Sequence, residues 1–304
     1  MRAIRIFGLA AVLAALAVPP GSHAASASAV KPQRIASLNV CAGQLALALA
    51  GRERMASMTF LATDPESAYW HREARGLPVN YGRAEEIIAV KPDLIIAGRY
   101  TTSATNALLD RLGYRIELFD PAESLTQLRA NIRRMAALLG EAARGKDMIR
   151  TMDARLAAAR QATEPPAAKS PDLPKPAAVI FRANGFTMGR RSLINDILTL
   201  TGFSHLSARM HMDQAGFLPL ERLIAADPAL IVFSEFKPEH PSIAHQLLQH
   251  PALDYLLSSR WAGGKRSVAV IPASLWNCGG PFIAEAAERL VRERTALMQA
   301  GQTP

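Results

Sequence analysis

The sequence carries none of the short motifs that mark the commonest catalytic and nucleotide-handling sites. There is no G-x-G-x-x-G or G-x-x-x-x-G-K-[ST] to cradle phosphates, no G-x-S-x-G to expose a serine, and no H-E-x-x-H to grip zinc. Its histidines do not converge: His240, His245 and His250 are five apart, which spreads them around a helix and suits a solvated surface better than a metal site. Apolar runs are short. The run near the start, Ile6–Val18, falls below the ~20 residues of a membrane-spanning helix, and no later stretch could span a bilayer. Cysteine is almost absent, with Cys41 and Cys278 alone. No acid–base pair or metal cluster is recognisable, which argues against an enzyme and against a bound cofactor of the protein's own.

What the chain does carry begins with an address. Arg2 and Arg5 precede the apolar run, Pro19-Pro20-Gly21 breaks it, and Ser22-His23-Ala24 supplies the small residues a signal peptidase inspects. Residues 1–24 are expected to be a secretory signal peptide cleaved after Ala24. No cysteine follows the apolar run to take a lipid, so the mature chain is expected to be soluble, exported and periplasmic. Losing Arg2 and Arg5 takes the formal net charge from +9 to +7. The remaining basic residues are spread along helices, which suits a solvated surface, and an exported protein rarely meets nucleic acid.

An internal repeat organises the rest. Ala84–Ile96 reads A-E-E-I-I-A-V-K-P-D-L-I-I and Leu220–Val232 reads L-E-R-L-I-A-A-D-P-A-L-I-V, with Glu, Ile, Ala, Pro, Leu and Ile in register. Each is a short helix with Glu in its first turn, a proline-marked turn, and an apolar strand. The residue before proline is pushed out of the helical region, so the helix ends there. Two such units, 136 residues apart, imply two similar lobes.

Around the first unit, strands are expected at Arg34–Leu38, Met55–Phe60, Leu94–Ala97 and Arg115–Phe119, alternating with helices. That alternation implies a mostly parallel sheet. Leu61–Arg83 reads as one long aromatic loop. A helix closes the lobe at Gly140, and a second runs from about Glu141 to Gln161, roughly 30 Å long at 1.5 Å per residue. Thr163–Pro176 holds five prolines, an extended connector. The second lobe follows with strands at Ala177–Phe181 and Ser267–Ile271, and a final amphipathic helix Phe282–Met298. The domain organisation is therefore 33–140 for the first lobe, 141–162 for the linking helix, 163–176 for the connector and 177–300 for the second lobe.

Open α/β sheets bind ligands at strand C-terminal ends. The loops expected there hold Asn39–Gly43, Tyr69, Trp70 and His71, and Arg99 and Tyr100 in the first lobe, then Arg182 and Phe186, and Trp276, in the second. Aromatic faces with a few arginines suit a large planar or chelated anion. Each also has a plainer reading: Trp70 and Trp276 as half-buried loop anchors, Arg99 and Arg182 as solvated charges, His71 as structural.

The repeated unit, the R-I-A-S-L opening and the long mid-chain helix together resemble the periplasmic substrate-binding proteins of iron–siderophore and vitamin B12 ABC importers, over roughly residues 33–298. The resemblance implies an α/β fold of two Rossmann-like lobes joined by a single long helix, a shallow cleft, and little closure on binding. It implies a monomer, not an enzyme, that takes a small-molecule metal chelate containing iron or cobalt to a permease dimer in the inner membrane. A ferric siderophore is expected first, with cobalamin or haem as alternatives, and a tetrapyrrole or metal chelatase of related fold as the alternative of another class. Glu85 and Glu221 match the two acidic residues with which the family docks onto permease arginines. A glutamate in a helix's first turn also simply complements the dipole, worth ~0.3–1 kcal/mol. For Cys41 and Cys278 two states stay open, a disulfide between the lobes, as exported proteins permit, or two buried thiols.

Overall fold

The computed structural model describes residues 30–99, 103–163, 175–234, 250–258, 260–261, 264–265 and 267–300, and all that follows concerns the compact unit from Lys31 onward. In the first half, β1 (Ile35–Ser37), α1 (Val40–Ala50), β2 (Met55–Thr59), α2 (His71–Ala74), β3 (Val79–Asn80), α3 (Ala84–Ala89) and β4 (Leu94–Gly98) follow in order. Then come α4 (Ser103–Arg111), β5 (Ile116–Phe119), α5 (Leu125–Leu139) and α6 (Ala142–Thr163). The second half holds β6 (Ala177–Ile180), β7 (Phe186–Thr187), α7 (Leu193–Leu200), β8 (Ser204–His205), α8 (Leu206–Arg209), β9 (Gly216–Phe217), α9 (Leu220–Ala225) and β10 (Leu230–Phe233). It ends with α10 (Pro251–Ser258), β11 (Arg260–Trp261), β12 (Gly264–Lys265), β13 (Ser267–Val270) and α11 (Ile283–Ala300).

The strands form two parallel sheets, ordered β3-β2-β1-β4-β5 and β13-β10-β6-β8, with β7–β9 and β11–β12 as small antiparallel additions. Each lobe thus has its own sheet, and the central strands β1, β4, β6 and β10 read as continuous apolar runs because both of their faces are buried. Successive side chains point to opposite faces. Ile35, Leu94 and Ile96 enter one core with Ala178, Ile180, Leu230 and Val232 from the other sheet, packed on α1, α5, α6, α7 and α11. Ala36, Ile95 and Ala97 face a separate outer cluster on the first lobe, and Val179, Phe181, Ile231 and Phe233 another on the second. Both sheets therefore share one helical layer. Within it α5 and α6 approach so closely that a Cβ on Gly145 would collide with that of Ala136.

Helix α6 matches the sequence expectation to within a turn, and the repeated units become α3 with β4 and α9 with β10. Their proline turns also repeat. Lys91 and Asp227, each just before the proline, sit at φ 45° and 46°. Proline excludes right-handed helix from these residues, and both take the left-handed region instead of the extended one, at some cost in strain. The stretch Leu61–Arg83 differs from the expected single loop. It contains a 3-10 turn at Phe60–Thr63, the helix α2 and the edge strand β3, elements too short to leave a periodic pattern. The structure of the proline-rich connector lies mostly outside the described residues, as do Thr101, Thr102 and 235–249. No helix among the described residues is long and apolar enough to cross a membrane.

One buried group makes the fold sensitive to acid. His205, at the end of β8, is 3% exposed, both ring nitrogens lack partners among the described residues, and burial pushes its pKa down to about 4. Because the folded value lies below the ~6.5 of the unfolded chain, the unfolded state takes up the proton first. Stability is full above pH 6.5 and falls as pH drops toward 4, by about 2 kcal/mol at pH 5. Melting curves at pH 7.5 and pH 5 should show this loss, and His205→Leu should largely remove the difference.

Candidate functional site

A cavity of about 530 Å3 opens between the C-terminal ends of the two sheets. The first lobe contributes the turn from β1 into α1 (Asn39, Cys41), the end of β4 (Gly98, Arg99), and the end of β5 with the loop after it (Phe119–Glu123). The second contributes Arg182 after β6, then Met188, Arg191, Gln214 and, after β13, Trp276 and Asn277. Short connections fix these positions. The Asn39 side-chain oxygen accepts from the Ala42 amide at 2.9 Å and caps α1, so the chain turns directly from β1 into the helix and holds Cys41 at the cavity.

At the cavity floor the lobes are joined covalently. Cys41 and Cys278 form a disulfide with a Cα–Cα distance of 4.9 Å and a sequence separation of 237. Contacts beside it are tight: a Cβ on Gly279 would lie 2.8 Å from that of Ala122. The Leu125 amide donates to Asp196 at 2.9 Å, linking the start of α5 to α7. Arg191 and Glu123 form an exposed ion pair across the rim at 3.8 Å.

The charges in the cavity are of two kinds. Arg99 donates to Asp120 at 2.6 Å, and that bond holds the Asp120 carboxyl below the usual range; both side chains are about half exposed, so this surface pair is worth little. Arg182 is different. Its side chain is half-buried, it has no counter-ion or hydrogen-bond partner among the described residues, and burial alone pulls its pKa down. An unpaired, partly desolvated guanidinium at a cavity wall is a site prepared for an anion. Trp276 supplies an apolar face nearby; it is buried, and its indole N–H has no partner among the described residues.

Of the residues singled out from sequence, Arg99, Arg182, Trp276 and the Asn39–Ala42 turn meet in this cavity. Tyr100 lies outside the described residues. Tyr69 and Trp70 do not reach the cleft, and that expectation is corrected. Tyr69 stacks on Phe282 at 4.6 Å and Trp70 meets it edge-on at 5.3 Å. The Tyr69 hydroxyl donates to Glu285 at 2.9 Å, and burial, more than that bond, raises its pKa. Their loop folds over the start of α11, where the two aromatics line a second cavity of about 710 Å3 beside α6. Phe186 also stands outside the cleft cavity, edge-on to Phe217 at 5.7 Å. His71 faces the Ala68 carbonyl at 3.1 Å, and no group of three metal-binding side chains occurs among the described residues. The end of β5 and the loop after it, with Phe119 and Asp120, are further cavity residues beyond those expected from the sequence. The strand-end rule that found the other loops applies to them equally.

Glu85 and Glu221 occupy matched places in the first turns of α3 and α9. Both are exposed, and neither carboxylate has a partner among the described residues.

Two parallel-sheet lobes on one shared helical layer, with an open cavity between strand ends, define a solute-binding architecture. The family profile of periplasmic binding proteins matches residues 35–256, and the chain belongs to that family. No curated protein sequence matches it. Among solved structures it is similar to a periplasmic heme-binding protein from Roseiflexus sp. RS-1 in apo form, at 23% identity and TM-score 0.67, covering 89% of this chain and 99% of that one. It is similar to the periplasmic vitamin B12-binding protein of Vibrio cholerae, at 18% identity and TM-score 0.62, with 90% and 99% covered. It is also similar to an ABC-type Fe3+-hydroxamate transport protein from Saccharomonospora viridis DSM 43017, at 18% identity and TM-score 0.65, with 87% and 93% covered.

Proposed function

We propose that the protein captures an anionic metal chelate, a ferric siderophore first, in the cleft between its lobes and delivers it, after export to the periplasm, to an inner-membrane ABC permease. The observation that carries this reading is Arg182, an unpaired cation at the cavity wall. A siderophore arrives with its iron fully coordinated, so the protein need supply only charge and shape. Haem is the second reading, favoured by the heme-binding structures of similar fold. Its propionates would also meet Arg182, but its iron leaves axial positions that call for a protein ligand, and Met188 is the one side chain of that kind among the described residues lining the cavity apart from the disulfide-bonded Cys41. Cyanocobalamin carries no net charge, its single phosphodiester being balanced at the cobalt centre, so Arg182 favours it less than a trianionic ferric tricatecholate. The test is tryptophan quenching and visible absorption on titrating the mature protein with a ferric trihydroxamate, a ferric tricatecholate, haemin and cyanocobalamin. Tight binding of a ferric chelate is expected. Binding of cyanocobalamin alone, or of none, overturns the proposal.

Delivery is assigned to Glu85 and Glu221, one exposed and unpaired carboxylate on each lobe. Truncating a carboxylate that docking buries in a hydrogen-bonded charge pair costs about 2–5 kcal/mol of association. Glu85→Ala with Glu221→Ala should therefore cut uptake at least tenfold, each single change less, with ligand affinity in solution unchanged. Normal transport by the double variant, or a loss of ligand binding, would show that these carboxylates do not dock.

A further inference from the structure

The internal repeat extends beyond the two glutamates. Four residues before Glu85 stands Tyr81, and four residues before Glu221 stands Phe217. Each is among the most exposed large apolar side chains of the described residues, Tyr81 at 63% and Phe217 at 66%. Each also rests on a second aromatic from a neighbouring segment: Tyr81 stacks on Phe60 at 5.1 Å, and Phe217 meets Phe186 edge-on at 5.7 Å. The backbone fixes both beside their glutamates. The Tyr81 amide donates to Glu86 at 2.7 Å, tying it to the first turn of α3. Phe217 pairs with Phe186 in the β7–β9 ribbon, and the Leu218 amide donates to Gly185 at 2.9 Å just before α9 begins.

Leaving two braced aromatic pairs in water is unfavourable for a monomer, and contiguous exposed apolar surface marks a contact site. Neither pair lines the cleft cavity. Two matched acid-and-aromatic sets, one per lobe, call for a partner that is itself built of two matched halves. We infer that the Phe60–Tyr81 and Phe186–Phe217 pairs form, with Glu85 and Glu221, a two-point docking surface for the two-subunit permease, each subunit presenting an apolar notch beside a basic side chain. The inference rests on the docking role proposed for the glutamates. In it the glutamates steer and set register, and the aromatics, the side-chain type that dominates interface energetics, hold the complex.

The test uses the full chain expressed in cells that contain its importer, with photoreactive benzoylphenylalanine at position 81, at position 217, or at the control position of Tyr255, which is 73% exposed on α10. Positions 81 and 217 should both cross-link to the importer's permease subunit, and position 255 should not. A Tyr81→Ser/Phe217→Ser variant should associate at least tenfold more weakly with that importer in nanodiscs, while binding haemin and a ferric trihydroxamate as the parent does. Loss of chelate affinity in this variant would assign the aromatics to ligand capture and overturn the inference, as would cross-linking at position 255 alone. If Glu85→Gln/Glu221→Gln weakens association and the serine variant does not, the glutamate reading stands and the aromatic inference falls. If the glutamine variant associates normally, the docking reading itself fails, and the inference with it.

Discussion

Replacing Cys41 and Cys278 together with alanine lowers the unfolding free energy by about 5 kcal/mol, the loss expected when a cross-link closing so long a loop is removed. The bond spans 237 residues and lies where the first turn of α1 meets the loop after β13. Without it the unfolded chain regains nearly all its freedom, while the folded cavity floor loses only one contact. The double replacement is the informative variant, because a single one leaves a reactive thiol in an exported protein. Denaturant titration of oxidised parent and variant measures the effect. Thiol counting on denatured, unreduced protein provides the control, with no reactive thiol per chain expected. Two thiols per chain, or an unchanged midpoint, would show that the lobes are not tethered in this way.

Arg182→Ala should weaken binding of a ferric tricatecholate or of haemin at least thirtyfold, at the low end of what removing one partner of a desolvated charge pair costs. Binding of an uncharged corrinoid, if any is seen, should not respond. The stability of the empty protein should hold or rise slightly, because burial already disfavours the Arg182 charge and no partner is left stranded when it goes. Arg182→Lys should recover only part of the affinity, since an ammonium is a point charge and cannot fork onto two oxygens. Equilibrium titrations with the parent and the two variants decide it. Equal affinity across them would place the anion elsewhere.

The parts of this structure that were legible in the sequence are those set by local pattern. The proline turn after a glutamate-led helix appears twice and builds α3–β4 and α9–β10. The helical spacing of Ile149, Met152 and Leu156 gives α6, and all three side chains are buried on it. Loops at strand ends gave Arg99, Arg182 and Trp276 for the same reason. Tyr69 and Trp70 were misplaced because nothing near them in sequence states which side of the sheet their loop covers. That is decided by Phe282 and Glu285, more than two hundred residues away. The left-handed Lys91 and Asp227 were illegible for a related reason: proline excludes one region for its predecessor but does not choose between those that remain.

The helical layer shared by the two sheets has a thermodynamic consequence. Ile132, Met135, Met152 and Leu156 on α5 and α6 belong to the same buried cluster as Leu193 and Ile197 on α7 and Leu290 on α11. Neither lobe can lose its order without exposing apolar surface that the other needs covered. A chain with two sheets is therefore bound to melt in a single cooperative transition, with calorimetric and van't Hoff enthalpies in agreement. A fragment ending at residue 163 would keep the first sheet, but it would leave the far face of α6 bare to water, and the first lobe would not stand alone.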